Sequence, residues 1–484
     1  MAEWRKATAE IISELDKAYD EKKRKTEEFF EEQIKGTVYY ISSHSGNDKN
    51  DGRTPLTAWK SCAMLASSEI CYGDTVLFEC GSVFREQMDI ISGVTYSSYG
   101  DGEKPLFYGS FDASKKDTWV RVDKDMYRYR ESIDMYQDIG NIVFDGGKAW
   151  GVKIQKCDDC DMSLALKNVT NGIDFFEEIP SVPFERAEQM PRVDLAFFHG
   201  SDNHVYLCSK NGAPAERFSS IELSRSIKIF NNYGYVENVS FSNLRFACVG
   251  CFAIRTGGCK NVSVRNCSFE FIGGAIQFSY NCPWRNYRTR YGNAIENWGS
   301  CDGMIVENCY FNQIYDAGIT TQSNDATACM KNLFFYSNVF DCNQYAIELW
   351  GGGSESKFEN MSVIGNVCKR VGDGLTTQRP DKGHESFFNS KGRHQIKNCV
   401  VTDNVSIGSV GCMMRSNRMC SEEYKEGYFF DRNVYVHELG KCFALISKEY
   451  PDFSGDIVPI EYCEKTVEIL KNQLFEENGK FYYI

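Results

Sequence analysis

A chain of 484 residues, 42% of them apolar, can bury a large core, and its 67 Asp and Glu against 54 Lys and Arg leave a net charge of −13. An acidic chain with no strong basic run is a poor match for a phosphate backbone, which argues against nucleic acid. No stretch approaches the ~18 consecutive apolar residues of a membrane span, and Glu3, Arg5, Lys6 and Glu10 interrupt any apolar segment of a secretory signal.

The expectation is therefore a soluble protein of the cytoplasm. Twenty-one cysteines, an odd number in a long chain, fit reduced thiols better than a disulfide framework. Two Cys-x-x-Cys pairs occur, Cys157 with Cys160 and Cys248 with Cys251. They lie too far apart for a zinc ribbon and have no His close by, so no metal is expected.

Residues 1–36 read as a helix: Trp4, Ile11, Leu15, Ala18 and Tyr19 keep helical spacing, and Phe29, Phe30 and Ile34 resume it. Such a helix caps one end of a larger fold or pairs with a second copy of the chain. From Thr37 the texture changes to short alternating strands and Gly/Asn/Asp turns, and residues 37–117 read as the first coils of a solenoid. Residues 118–225 are strand-rich without repeating, with Pro180, Pro183 and Pro191 marking a loop, and read as an inserted β subdomain.

Residues 226–440 carry a repeat. NVSFSNLRF, NVSVRNCSF, GMIVENCYF, NLFFYSNVF, NMSVIGNVC and NCVVTDNVS share an alternating strand, an Asn and an apolar residue, with Asn243, Asn266, Asn308, Asn338, Asn366 and Asn404 at one expected station. Stacked carboxamides hydrogen-bond along such a ladder and tolerate a left-handed corner. A second set of short strands follows, CFAIRT, GAIQFS, AGITTQ, YAIELW, DGLTTQ and GCMMRS. Ile254, Ile276, Ile319, Ile347, Leu375 and Met413 are expected to point inward in them. Turn-linked strands of this kind predict an all-β, right-handed parallel β-helix, closed by a strand-plus-helix cap over 441–484.

The opening YYISSHSGNDKNDG…AW…GDTVLF resembles the first coil of pectate-lyase-like β-helix enzymes. HVYLCSKNGAPAERFSSIEL and RYGNAIENW…IYDAGITTQ…YAIELW resemble the β-helix glycosidases around glycoside hydrolase family 141. That resemblance implies fucosidase- or xylanase-like action on plant or cell-wall glycans.

Ile-Glu-x-Trp occurs twice, at Ile295–Trp298 and Ile347–Trp350. If the isoleucines point inward, Glu296, Trp298, Glu348 and Trp350 point outward. An indole offers a flat apolar surface to a sugar ring and a carboxylate supplies an acid, base or nucleophile. An exposed Glu on a strand is ordinarily just a solvated face, but the same pair twice at one station favours a site. In the intervening IYDAGITTQ, Asp316, Gly318, Thr320 and Gln322 share the outward parity, with Gly318 leaving room above the sheet.

Asp316 and Glu348 are the first choice for the catalytic pair, with Glu296 third. Their offset is two residues if the asparagines set the register and four if the isoleucines do, roughly 8 or 14 Å. Asp373 has inward parity and reads as a corner cap. Trp298, Trp350 and Gln322 are expected to bind substrate. Arg290, Tyr291 and Asn293 join them from the loop 279–293, which also holds Arg285, Tyr287 and Arg288. Arg379, Lys382 and His384 come from an opposing wall over 379–394.

The leading expectation is a hydrolase cleaving oligosaccharides with paired carboxylates, without a cofactor and by inversion. A polysaccharide lyase, with Ca²⁺ as a possible cofactor, is the alternative. A non-catalytic glycan-binding solenoid is the third reading.

Overall fold

The computed structural model describes residues 5–154, 193–200, 202–278, 289–379, 385–417, 427–447, 458–461, 476 and 478–484. Among the described residues, three sheets of 10, 11 and 10 strands run the length of the molecule, parallel except where Val458–Glu461 pairs antiparallel with Cys442–Ser447 at the edge of one of them. One coil shows the plan. Cys301–Glu307 lies in sheet one, Tyr310–Ile314 in sheet two and Ala317–Ser323 in sheet three. The chain then returns to sheet one as Cys329–Tyr336, paired in parallel with Cys301–Glu307. This is a right-handed parallel β-helix.

Two-residue corners leave no room for crossover helices, so neighbouring coils bury each other's apolar faces. Ile254, Ile295, Ile319 and Ile347 stand in register inside sheet three, continued by Phe388 and Met414. From sheet two, Phe246, Phe269, Phe311 and Phe340 stack face to face with centroids 5.0, 4.9 and 4.8 Å apart. Each fully buried ring adds about 1.5–3 kcal/mol of transfer free energy.

The corner asparagines occupy two stations rather than one. Asn243, Asn266 and Asn308 have left-handed backbones, with φ of 58°, 48° and 52°. In the next coils Ser337, Gly365, Asp403 and Arg432 take that conformation. The buried Asn that follows each, at 338, 366, 404 and 433, links side chain to side chain at 3.0, 2.9 and 2.9 Å. A further ladder runs along sheet one, where Asn261 donates to Asn238 and Asn398 to Asn360, all four with positive φ.

Three expected rungs also move. Ile276 makes only an isolated antiparallel bridge with Arg290, and Leu375 lies in the 3-10 helix Gly374–Gln378. Met414, not Met413, occupies the inward station in register with Phe388, although both methionines are buried. The rung after Tyr345–Gly351 is Ser386–Gly392, so much of the expected opposing wall is a sheet-three strand. Asp373 does cap a corner: its carboxylate accepts from the Gly374 N–H at 2.8 Å.

Strands from Ser110–Asp112 to Ile221–Arg225 form two smaller, mostly antiparallel sheets beside the helix of coils. Lys153 anchors them. Its backbone N–H donates to Gln378 at 2.9 Å, and its buried ammonium pairs with Asp138 and donates to the Ile139 and Gly274 carbonyls. Burial pushes the Lys153 pKa down to about 8 against the pull of Asp138.

The N-terminal helix is Ala9–Glu27, shorter than expected, with Thr8 accepting from the Ile11 N–H as its N-cap. It lies along the flank of sheet two instead of closing an end. Tyr19 packs with Tyr310, Val339 and Val367, so the face carrying Tyr19 is turned to the sheet and not to a partner helix. Among the described residues no helix is long and apolar enough to cross a membrane. Cys248 and Cys251 are buried thiols, whereas Cys157, Cys160, Pro180, Pro183 and Pro191 lie outside the described residues.

Candidate active site

The alternation that turns the sheet-three isoleucines inward sets out rows on its outer face. Arg255, Glu296, Thr320, Glu348, Asn389 and Arg415 share one row through successive parallel pairings. Two residues further along the strands, Trp298, Gln322, Trp350 and Lys391 form the next. Glu296 and Glu348 face away from the core yet are only 5% and 2% exposed, because polar side chains close around them.

Donors surround Glu348. Its Oε2 accepts from Gln322 Nε2 at 2.8 Å and from Thr320 Oγ1 at 3.5 Å. Its Oε1 accepts from Asn389 Nδ2 at 3.1 Å and pairs with Lys391 Nζ at 2.8 Å. Burial works against the Lys391 cation, but the Glu348 charge prevails and holds its pKa above the ordinary lysine value.

Glu296 is held differently. Asn293 Nδ2 donates to its Oε2 at 2.7 Å and Arg255 Nε to its Oε1 at 3.2 Å. Burial raises its pKa above the ordinary glutamate value, Asn293 and Arg255 oppose the rise, and the charge of Asp316 adds to it. Asn293 is buried and accepts from the Ala317 N–H at 3.0 Å, which ties it to the next coil.

Asp316 stands at the corner before Ala317–Ser323. The isoleucines set the register, so it is four positions off the Thr320–Glu348 row, roughly 14 Å from Glu348 at the backbone. It pairs with Arg379 at 2.9 Å. Arg379 and Arg290 both lie against the Tyr315 ring, at 5.3 and 5.0 Å. Arg290 donates to the Gln378 carbonyl at 3.2 Å, towards the inserted subdomain. Gly318 faces the core: an added Cβ would meet the Phe340 ring at 2.8 Å, so it opens no space above the sheet.

The indoles of Trp298 and Trp350 stack with centroids 6.0 Å apart and planes 26° apart. Their strands are two spacings apart, ~9.6 Å, so the rings lean together above Gln322. Tyr291 packs edge-on against Phe252 at 5.3 Å, with Lys228 Nζ 5.8 Å from its ring centre. His384, Arg285, Tyr287, Arg288 and Lys382 lie outside the described residues.

The geometry thus brings Glu296, Glu348, Trp298, Trp350 and Gln322 onto two adjacent rows, with Asn293 and Asp316 at the edge. It adds Arg255, Asn389, Lys391 and Arg415, which sequence reasoning passed over. Strand parity in CFAIRT already turned Arg255 outward once Ile254 was placed inward. Lys391 and Asn389 were hidden in a segment taken for loop. Among the described residues no group of three or more His, Cys, Asp or Glu is arranged to hold a metal ion.

No family model matches the chain. A curated relative, lacto-N-biosidase of Bifidobacterium longum subsp. longum, is 29% identical over 117 residues, which is 22% of this chain and 7% of that protein. The chain therefore spans less than a tenth of that relative's length. Among solved structures, a complex of XylC with xylose aligns over 88% of this chain and 74% of its own, at 12% identity and a TM-score of 0.41. A GH136 lacto-N-biosidase from Eubacterium ramulus aligns over 93% and 68%, at 13% identity and a TM-score of 0.39. A family 28 exopolygalacturonase from Yersinia enterocolitica aligns over 92% and 78%, at 9% identity and a TM-score of 0.30. The chain's own strand register defines its architecture: it is a right-handed parallel β-helix.

Proposed function

We propose that this protein is a glycoside hydrolase that cleaves oligosaccharides derived from cell-wall glycans with Glu296 as general acid and Glu348 as general base. One observation carries the reading: the two glutamates share an outward row with only Thr320 between them. Two strand spacings put their backbones ~9.6 Å apart, near the 6.5–9.5 Å that inverting glycosidases hold between carboxyls. Burial raises the Glu296 pKa, the direction a general acid needs, while Lys391, Gln322, Thr320 and Asn389 all present donors to Glu348, as suits a carboxylate that orients water. Trp298 and Trp350 supply the apolar platform.

Asp316, tied to Arg379 and offset along the strand, is a positioning residue in this scheme, and paired-carboxylate hydrolysis itself requires no cofactor. Lys391 and Arg255, the cations nearest the two glutamates, are engaged with them, so neither is poised as the proton-abstracting base of a β-elimination.

Glu348→Gln and Glu296→Gln should each lower kcat by about 10²–10⁴-fold with unchanged far-ultraviolet circular dichroism. NMR of fresh product should show the inverted anomer. Wild-type turnover in both variants would refute the assignment, and a product with an unsaturated, ultraviolet-absorbing end would move it to the lyases.

A further inference from the structure

The strands of sheet three between residues 228 and 417 carry four cations, Lys228, Arg255, Lys391 and Arg415, and two anions, Glu296 and Glu348. The local balance is therefore +2, on a chain whose net charge is −13. Arg255 and Lys391 are accounted for by their ion pairs with the two glutamates. The other two are not.

Among the described residues neither Lys228 nor Arg415 forms an ion pair with a carboxylate. Lys228 is half-buried in an aromatic corner, its Nζ 5.3 Å from the Tyr233 ring centre, 6.0 Å from Phe252 and 5.8 Å from Tyr291. Tyr233 itself is 68% exposed, and the Arg255 guanidinium lies 4.5 Å from its ring centre. Arg415 is half-buried too, and its Nε is buried with no hydrogen-bond partner.

Arg415 stands in the row of Glu348, two strands on and ~9.6 Å away at the backbone. Lys228 is two strands before Glu296 but three residues off its row, roughly 14 Å away at the backbone, and is linked to that end of the row through the Tyr233 ring, which it shares with Arg255. A half-buried cation without a counter-charge carries a desolvation cost that an arriving anion relieves. Arg also presents a fork suited to planar oxyanions. We infer that the cleft takes an anionic saccharide, with an acidic group held by Lys228 at one end and by Arg415 at the other. This rests on the cleft being the sugar site proposed above, and it names the substrate class.

Affinity electrophoresis of the full chain tests it, in gels cast with polygalacturonate, glucuronoxylan, alginate or chondroitin sulfate, each beside its carboxyl-reduced counterpart. A protein of net charge −13 has no general attraction to polyanions, so retardation reports a local site. At least one acidic polymer should retard the protein while its reduced partner does not. Lys228→Met and Arg415→Met should each weaken that binding about tenfold, in line with one charge-assisted contact, and added salt should weaken it further. Both variants keep an apolar stem, and near-ultraviolet circular dichroism checks their folding. Retardation by chondroitin sulfate that survives carboxyl reduction identifies the anion as a sulfate ester and leaves both cations in their role.

Equal retardation by a sulfate-free acidic polymer and its reduced counterpart, retardation by none, or unchanged binding by both folded variants would overturn the inference. Glu348→Gln separates it from the hydrolase reading. Acid-selective binding without hydrolysis by the wild type removes only the activity, whereas hydrolysis of a neutral glycan by a wild type that no acidic polymer retards removes only the anion subsites.

Discussion

At the scale of single residues, the environment of Glu296 has a consequence for pH. Burial raises its pKa and Arg255 is among the groups pulling it back. A general acid works only while protonated, so activity should fall as pH rises through the Glu296 pKa. Removing the guanidinium removes a lowering influence. Arg255→Gln should therefore move the alkaline limb of kcat/KM to higher pH, by about one unit given the usual effect of a neighbouring opposite charge. A limb that stays put, or moves to lower pH, assigns the acid elsewhere. Glu296 and Glu348 were legible in the sequence because Ile-Glu-x-Trp repeats at strand parity. The order of Asp316 and Glu296 as the partner of Glu348 was not resolvable there, since the asparagine and isoleucine patterns implied different registers. The isoleucines fill the core and fix the pairing, whereas the asparagines sit at corners that absorb a one-residue shift. Gly318 was misplaced for a related reason: simple alternation fails next to a corner, where Ala346 and Ile347 both enter the core.

At the scale of elements, the asparagine ladder ends on an acid. Asn433 Nδ2 donates to Glu476 Oε1 at 2.6 Å and the Tyr435 hydroxyl to the same oxygen at 2.8 Å. Burial pushes the Glu476 pKa from 4.5 up to about 7. The folded chain then holds a proton that the unfolded chain releases between those two values. Stability from this group is complete below the unfolded pKa and is lost as pH rises through 7, by on the order of 3 kcal/mol. Glu476→Gln keeps an acceptor for both donors and carries no titrating proton. Urea unfolding should find the variant more stable than wild type at pH 8 and close to it at pH 4. Parallel stability profiles across that range would show that Glu476 does not titrate there. The coil repeat was legible because each turn restates strand, Asn and apolar residue. The strand Ser386–Gly392 was not, since its outward Asn389 and Lys391 and its inward Ser390 give SFFNSKG the composition of a loop.

At the scale of the whole molecule, a solenoid is a chain of nearest-neighbour contacts, and such a stack unfolds piecemeal unless distant coils are coupled. Here the N-terminal segment supplies the coupling. Arg5 and Lys6 pair with Tyr482 and Tyr483 of the last strand. The Tyr19 hydroxyl then donates to Asp341 at 2.9 Å. Further along, Asn308 and Asn266 donate to the carbonyls of Lys25 and Glu28 at 2.9 and 2.8 Å, and the Asn243 side-chain amide accepts from the Phe30 N–H and donates to the Phe30 carbonyl. The chain finally enters the first coil as Val38–Ile41. One strap thus touches coils from the last to the first, running against the direction of stacking. It also covers Lys104, whose ammonium donates to the carbonyls of Thr26 and Glu28 at 2.8 and 2.7 Å. The charged residues between Tyr19 and Phe29, which interrupt the helical periodicity, are where the segment crosses these polar corners, and local sequence could not say which surface they would meet. Deleting residues 1–28 should therefore uncouple the coils as well as destabilise them. The full chain should unfold in urea in one steep transition. The truncated chain should show a lower m-value or two resolved steps, with amide exchange accelerated first in Val434–His437 and Lys480–Tyr483. An unchanged m-value with uniform loss of protection would mean that the coils hold together without the strap, and that its bonds to them add stability but no cooperativity.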